Sequence, residues 1–138
     1  MNRTFFTDRD LGKRFPDILA KAGLQVIRHH DLFQPGGSDE EWLEYVGKND
    51  CVAVTHDGRI RYKPNELSAV VEHRVSLLVV IGKVPFLELA DNFVRSIGRI
   101  ERFLDQNEPP VIAKVRRPTP ADLLRNKAIG SIERWYPN

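Results

Sequence analysis

The sequence predicts an α/β domain, a mostly parallel β-sheet flanked by helices on both faces. Three observations carry that prediction. Short apolar runs alternate with helical periods along the chain up to about residue 116. The run Cys51-Val52-Ala53-Val54 is apolar at every position, as a central parallel strand covered on both faces requires. Strand and helix follow each other in turn, and right-handed crossovers then place helices on both sides of one sheet.

Each element has its own signal. Thr4-Phe5-Phe6 forms the first strand and ends at Thr7-Asp8. Leu11, Phe15, Ile18, Leu19 and Ala22 recur at helical spacing, and Gly23 stops that helix. A second strand covers 25–28, followed by a polar loop through Pro35-Gly36-Gly37. Ser38 caps the next helix, with Glu41 three residues on to complete a capping box. Trp42, Leu43 and Val46 face inward from it, and Gly47 is expected to end it. The strand at 51–54 leads into Thr55-His56-Asp57-Gly58. A helix over 64–73 turns Leu67, Val70 and Val71 inward, and 75–81 is the most hydrophobic strand. Phe86, Leu89, Phe93, Val94, Ile97, Ile100 and Leu104 draw one apolar stripe, read as a single helix of five turns, before a final strand over 111–115. Residues 1–116 thus form the main domain and 117–138 a C-terminal tail. In the tail, Pro118 and Pro120 break the sheet pattern and one more helix is expected over 121–132. Trp135-Tyr136 is an apolar tip that either tucks onto the domain or docks on a partner.

Composition narrows the classes of function. The chain has 138 residues, 41% hydrophobic and 29% charged, the balance of one soluble globular domain. A net charge of +2 argues for nucleic-acid binding only where basic residues cluster. Cys51 is the only cysteine, so neither an internal disulfide nor a thiolate zinc site can form, and its apolar neighbours mark it as a core residue. The first ten residues lack an apolar signal core, and no run approaches the ~18 apolar residues of a membrane span. The expectation is a cytoplasmic protein with no membrane partner.

In open parallel sheets, functional groups gather beyond the carboxyl ends of the strands. Asp8 follows the first strand, Asp57 the third, and Asp39 opens the helix after the second. Topology therefore directs three carboxylates, distant in sequence, towards one sheet edge. Two carboxylates about 5 Å apart repel by roughly 3 kcal/mol at an effective dielectric near 20. A hard divalent cation, Mg²⁺ or Mn²⁺, resolves the conflict and equips the site for phosphodiester cleavage. Each acid also has a plainer explanation. Asp39 suits the positive end of a helix, Asp57-Gly58 is a common turn pair, and Asp10 fits the cap of the first helix better than Asp8 does. Arg9, Lys13 and Arg14 flank the first acid, and Arg59, Arg61 and Lys63 the third, as cationic contacts to phosphates would. Tyr62 is a candidate for stacking on a base. His56 is a candidate proton shuttle, although strand alternation turns it away from its neighbours, and His29 with His30 makes a poor zinc site.

At these residues the sequence resembles the PIN-like proteins. Phe5-Phe6-Thr7-Asp8-Arg9-Asp10-Leu11-Gly12 is similar to their opening strand and acid, Ser38-Asp39-Glu40-Glu41-Trp42-Leu43 to their helix-opening acidic run, and Val54-Thr55-His56-Asp57 to their strand ending in Thr-x-Asp. The resemblance covers about residues 3–82 and is nearest to the short subgroup that includes VapC-type toxins. It implies a three-layer sandwich and a Mg²⁺- or Mn²⁺-dependent endoribonuclease, the toxin of a toxin–antitoxin pair. Asp8, Asp39 and Asp57 would be the catalytic metal ligands, with Glu40 and Asp10 as supporting acids. Arg9, Lys13, Arg59 and Arg61 would contact RNA. The implied partners are the RNA substrate, a cognate antitoxin and a second copy of the chain.

Two other classes compete. A phospho-acceptor signalling domain shares the alternation and would phosphorylate Asp57, but Arg9 separates Asp8 from Asp10 and Gly82-Lys83 follows the fourth strand where a hydroxyl is wanted. A catalytically silent PIN-like fold used only for binding is the other.

Overall fold

The computed structural model describes residues 3–126 and 129–138. Its strands are β1 (Thr4–Thr7), β2 (Gln25–Arg28), β3 (Val52–Thr55), β4 (Ser76–Ile81), β5 (Val111–Arg116) and β6 (Ser131–Tyr136). The helices are α1 (Arg14–Lys21), α2 (His29–Leu32), α3 (Asp39–Lys48), α4 (Pro64–Glu72), α5 (Phe86–Arg95), α6 (Ile97–Gln106) and α7 (Pro120–Leu124). Two single 3₁₀ turns, Arg9–Leu11 and Ile60–Tyr62, follow β1 and β3. The strands form one sheet in the order β2-β1-β3-β4-β5-β6, parallel except for β6. The α/β class with helices on both faces is therefore observed.

Strand alternation divides the core in two. Phe5, Val54, Leu78, Val80, Ala113 and Val115 face one side, against Phe15 and Leu19 of α1, Phe93 of α5 and Ile100 of α6. Phe6, Ala53, Leu77, Val79 and Ile112 face the other, against Trp42, Leu43 and Val46 of α3 and Val70 of α4. Cys51 belongs to this second cluster, and burial followed by the nearby Asp50 pushes its thiol pKa up. It is the core residue its neighbours predicted.

Three local expectations are corrected. The α3 helix does not end at Gly47; it runs to Lys48, with Asn49 as its cap. Gly47 is there because His73 packs on it: a Cβ at position 47 would lie 2.2 Å from the His73 carbonyl oxygen. The long apolar stripe folds as two helices, not one, broken at Ser96. The Ser96 hydroxyl accepts the Gly130 N–H at 3.1 Å, and the neighbouring Asn92 amide donates to the Arg116 carbonyl at 3.3 Å. The break thus turns two buried polar side chains to the backbone at the end of β5 and just before β6. A one-turn helix, α2, fills what reads as loop after β2.

The tail differs most. Its helix is confined to Pro120–Leu124, capped by Thr119, while Lys127 and Ala128 lie outside the described residues. Beyond them Ser131–Tyr136 is a strand on the open edge of β5. Its Ile, Trp and Tyr favour a pleated, half-buried surface. A register irregularity near Ile112 and Ala113 lets consecutive Trp135 and Tyr136 both pack on the second core cluster. The apolar tip tucks. No helix among the described residues is long and apolar enough to cross a membrane.

Two alanine substitutions should separate packed from merely helical glycines. Gly47→Ala should lower stability by about 1–3 kcal/mol through forced displacement of His73. Gly98→Ala, in α6 with nothing within 4 Å of an added Cβ, should leave it unchanged or raise it by up to ~1 kcal/mol. Urea unfolding measures both.

Candidate functional site

The site begins where β1 and β3 end. The chain leaves β1 for β2 on one side and returns to β3 on the other, so these two adjacent strands form a topological switch point. The Asp8 N–H donates to the Val54 carbonyl at 2.9 Å, which fixes its backbone to β3. Beyond the strand ends lies an open cavity of about 600 Å³. Asp8, Asp10, Asp39 and Asp57 all line it, as do Arg9 and Arg59. The three carboxylates picked from the sequence therefore do meet at one cavity, and Asp10 joins them. Glu40 does not line it; it is exposed on α3.

Thr55 ties the acids together. Fully buried at the end of β3, its hydroxyl lies 2.8 Å from Asp8 Oδ2 and 3.1 Å from Asp10 Oδ2, and accepts the Asp57 N–H at 3.2 Å. One hydroxyl hydrogen cannot serve two carboxylates at once. Asp8 Oδ1 also accepts the Arg9 N–H at 2.7 Å, so Asp8, rather than Asp10, caps the 3₁₀ turn that follows. Asp10 instead reaches across to the His56 N–H, at 3.1 Å from Oδ2. The hydrogen-bond donors here, a hydroxyl and two backbone N–H groups, are neutral, and only the His56 ring adds a Coulombic opposition, at Asp10. Burial, then the Asp10 carboxyl, then Asp39, pushes the Asp8 pKa up to about 7, against the hydrogen bonds from Thr55 and Arg9. Burial raises Asp10 as well, although His56 and Thr55 oppose it.

Asp57 lives in a different field. Its Oδ2 accepts the Lys63 ammonium at 2.7 Å, its Oδ1 accepts the Arg59 N–H at 2.9 Å, and the Arg59 Nε is 3.6 Å away. Burial works to raise its pKa, but Lys63 and Arg59 outweigh that and hold it below the usual range. Asp39 accepts the Trp42 indole N–H at 3.0 Å while Ser38 and Glu41 form the expected capping box, so Asp39 is free of capping duty.

The histidines and basic residues sort themselves. The His56 Nδ1 lies 2.8 Å from the Val80 carbonyl and its ring meets Phe86 edge-on, so one nitrogen is spent on structure. His29 is buried against Phe6 and Phe33, lines the cavity, and its Nδ1 has no hydrogen-bond partner among the described residues. Arg61 is turned away: its guanidinium donates to the Trp135 carbonyl at 3.0 Å and to Asn138 Oδ1 at 2.7 Å, and lies over the Tyr62, Trp135 and Tyr136 rings. It ties the C-terminal strand to the segment after β3. Arg9 and Arg59 remain at the cavity, while Lys13 is exposed and does not line it.

A family model described as "PIN like domain" matches residues 3–82, more than half of the chain. The chain belongs to the PIN-like domain family. The matched segment of this PIN-like domain runs through β4 and contains all four cavity aspartates. No curated protein and no solved structure matches.

The family implies a divalent metal, and the oxygen-donor chemistry of Asp8 and Asp10 suits one. Asp8 and Asp10 offer hard oxygen donors whose charged forms a cation would favour, and His29, whose Nδ1 is buried without a hydrogen-bond partner among the described residues, lines the same cavity. Among the described residues no group of three or more His, Cys, Asp or Glu side chains stands placed to hold a metal ion. The donors fit an open, water-rich shell, as Mg²⁺ prefers, rather than a cage of protein ligands.

Sequence reasoning missed the part played by Thr55 and ranked Asp10 behind Asp57. The signal was present in Thr-x-Asp, because the strand's last inward residue must reach whatever follows β1.

Two measurements check this electrostatics. A carboxyl whose folded pKa lies above its unfolded value favours folding below the unfolded pKa and loses that contribution as pH rises through the folded one. In metal-free buffer the stability of Asp8→Asn relative to wild type should therefore rise between pH 4 and 8; taking the difference cancels the opposing contribution of His29, whose pKa is lowered by burial and Arg9. A pH-independent difference contradicts the assignment. Thr55→Val, which keeps shape but removes the hydroxyl, should cost about 1–3 kcal/mol at pH 7.5 in urea unfolding, and Thr55→Ser much less.

Proposed function

We propose that this PIN-like domain is a divalent-metal-dependent endoribonuclease, and the toxin of a toxin–antitoxin pair. The observation that carries the reading is the Asp8–Asp10 pair, a buried carboxyl and a more exposed one competing for one hydroxyl at an open cavity. PIN-like domains are commonly nucleases, which fits that chemistry.

Asp8, Asp10 and Asp39 are the residues proposed to hold Mg²⁺ or Mn²⁺, with Asp57 completing the acidic rim. The bound ion supplies charge neutralisation and acidifies a water for attack on phosphorus. Thr55 orients the Asp8 carboxylate and the His56 N–H orients Asp10. Arg59, whose side chain is 85% exposed beside the cavity, and Arg9 offer cationic contacts to the phosphates of an RNA strand. Water oxygen adds to phosphorus, the phosphorus–oxygen ester bond breaks, and the departing sugar oxygen takes a proton. A small acidic antitoxin segment or a second copy of the chain is the proposed protein partner.

One observation favours the silent-fold reading: the absence, among the described residues, of a ready-made group of three metal-binding side chains. RNA cleavage separates the two. With Mn²⁺ or Mg²⁺ the wild-type protein should cut single-stranded RNA, chelation should stop it, and Asp8→Asn and Asp10→Asn should each lower the rate by at least about 100-fold with the fold retained by circular dichroism. Wild-type protein that cuts no RNA with either ion, and variants no less toxic in cells, would leave the binding-only fold standing.

A further inference from the structure

The four cavity aspartates do not share one electrostatic condition. Asp8 and Asp10 have only neutral donors. Asp57 has a cation already: Lys63 Nζ stands 2.7 Å from its Oδ2, and the other oxygen is held by the Arg59 N–H at 2.9 Å. Asp39 also acts on the Lys63 ammonium.

The lysine is not a loose surface chain that happened to fold over an acid. Lys63 is the residue before Pro64, which restricts it to extended backbone, and it has φ −92° and ψ 113°. Its N–H donates to the Ile60 carbonyl at 3.3 Å, and its carbonyl accepts the Leu67 N–H at 2.9 Å, the opening bond of α4. Ile60 is buried and Arg61 is fastened to the C-terminal strand. The whole segment from Asp57 to Pro64 is thus anchored at three points, which fixes the backbone from which the ammonium reaches Asp57.

Resting on the metal-dependent reading above, we propose that the Lys63 ammonium is the site's built-in second cation. It neutralises Asp57 from just outside the residues that line the cavity, so the protein binds a single divalent ion on the Asp8–Asp10 side. A fixed monocation offers an advantage a second dissociable ion does not: it needs no loading. Asp57 then serves as the counter-ion of Lys63 and positions Arg59, which lines the cavity, for the phosphate, rather than as a ligand to the dication.

Manganese stoichiometry tests this without reference to activity. Mn²⁺ is titrated into the full chain at pH 7.5, read by isothermal titration calorimetry and by the paramagnetic signal of free Mn²⁺. Wild type and Lys63→Arg should each bind one ion. Lys63→Met, which keeps the stem and removes the charge, should bind two. Adding Asp57→Asn to Lys63→Met should return the number to one. Two ions on the wild type, or one on Lys63→Met, overturns the inference and leaves the nuclease reading intact. No Mn²⁺ bound to any of them overturns both.

Discussion

Everything at the cavity depends on one side chain, the Thr55 hydroxyl, and on the fact that it has a single hydrogen to give. Parallel strands β1 and β3 lie side by side, so the last residue of one comes level with the acid that follows the other. The short 3₁₀ turn then returns Asp10 to the same hydroxyl. Backbone geometry, not charge attraction, brings these carboxyls together. Their mutual repulsion is held in place by the core beneath: Phe5, Phe6, Val54 and Ala53 are buried on both faces of the sheet and give the strand ends no freedom to part.

That arrangement divides the cavity into two electrostatic halves. On one side negative charge is left unmet by neutral dipoles; on the other, Lys63 and Arg59 answer it at once. The second half is stabilised by the fold on its own account. Arg61 fastens the segment after β3 to the final strand, and Trp135 receives Lys114 over its ring at 4.3 Å. The C-terminal strand, remote in sequence from every acid, thereby helps fix the cationic wall. A tail that reads as an appendage is built into the sheet and braces the site.

Much of this was legible before any coordinates. The continuous apolar strand at 51–54, the capping box at Ser38 and Glu41, and the acids beyond strand ends are local signals, and each appears where its physics requires. What escaped is non-local. The helical stripe is interrupted at Ser96, whose hydroxyl meets Gly130 from 34 positions away, and Gly47 reads as a helix stop only until His73 is seen packed on it. Ser131–Tyr136 becomes a strand because β5 has an edge to offer, which no window of sequence reveals. The same limit governs the site. The separation of four similar aspartates into an uncompensated pair and an ion-paired one depends on where Lys63 lands, and Asp10 looked like a helix cap until its partner across the sheet was known.

The most direct test is the position of a bound ion. Crystals grown without metal, soaked in Mn²⁺ and measured at its absorption edge, should show one anomalous peak touching the Asp8 and Asp10 carboxylates. A peak lying instead against Asp57 with Lys63 displaced, or no peak at full soak, would contradict the account.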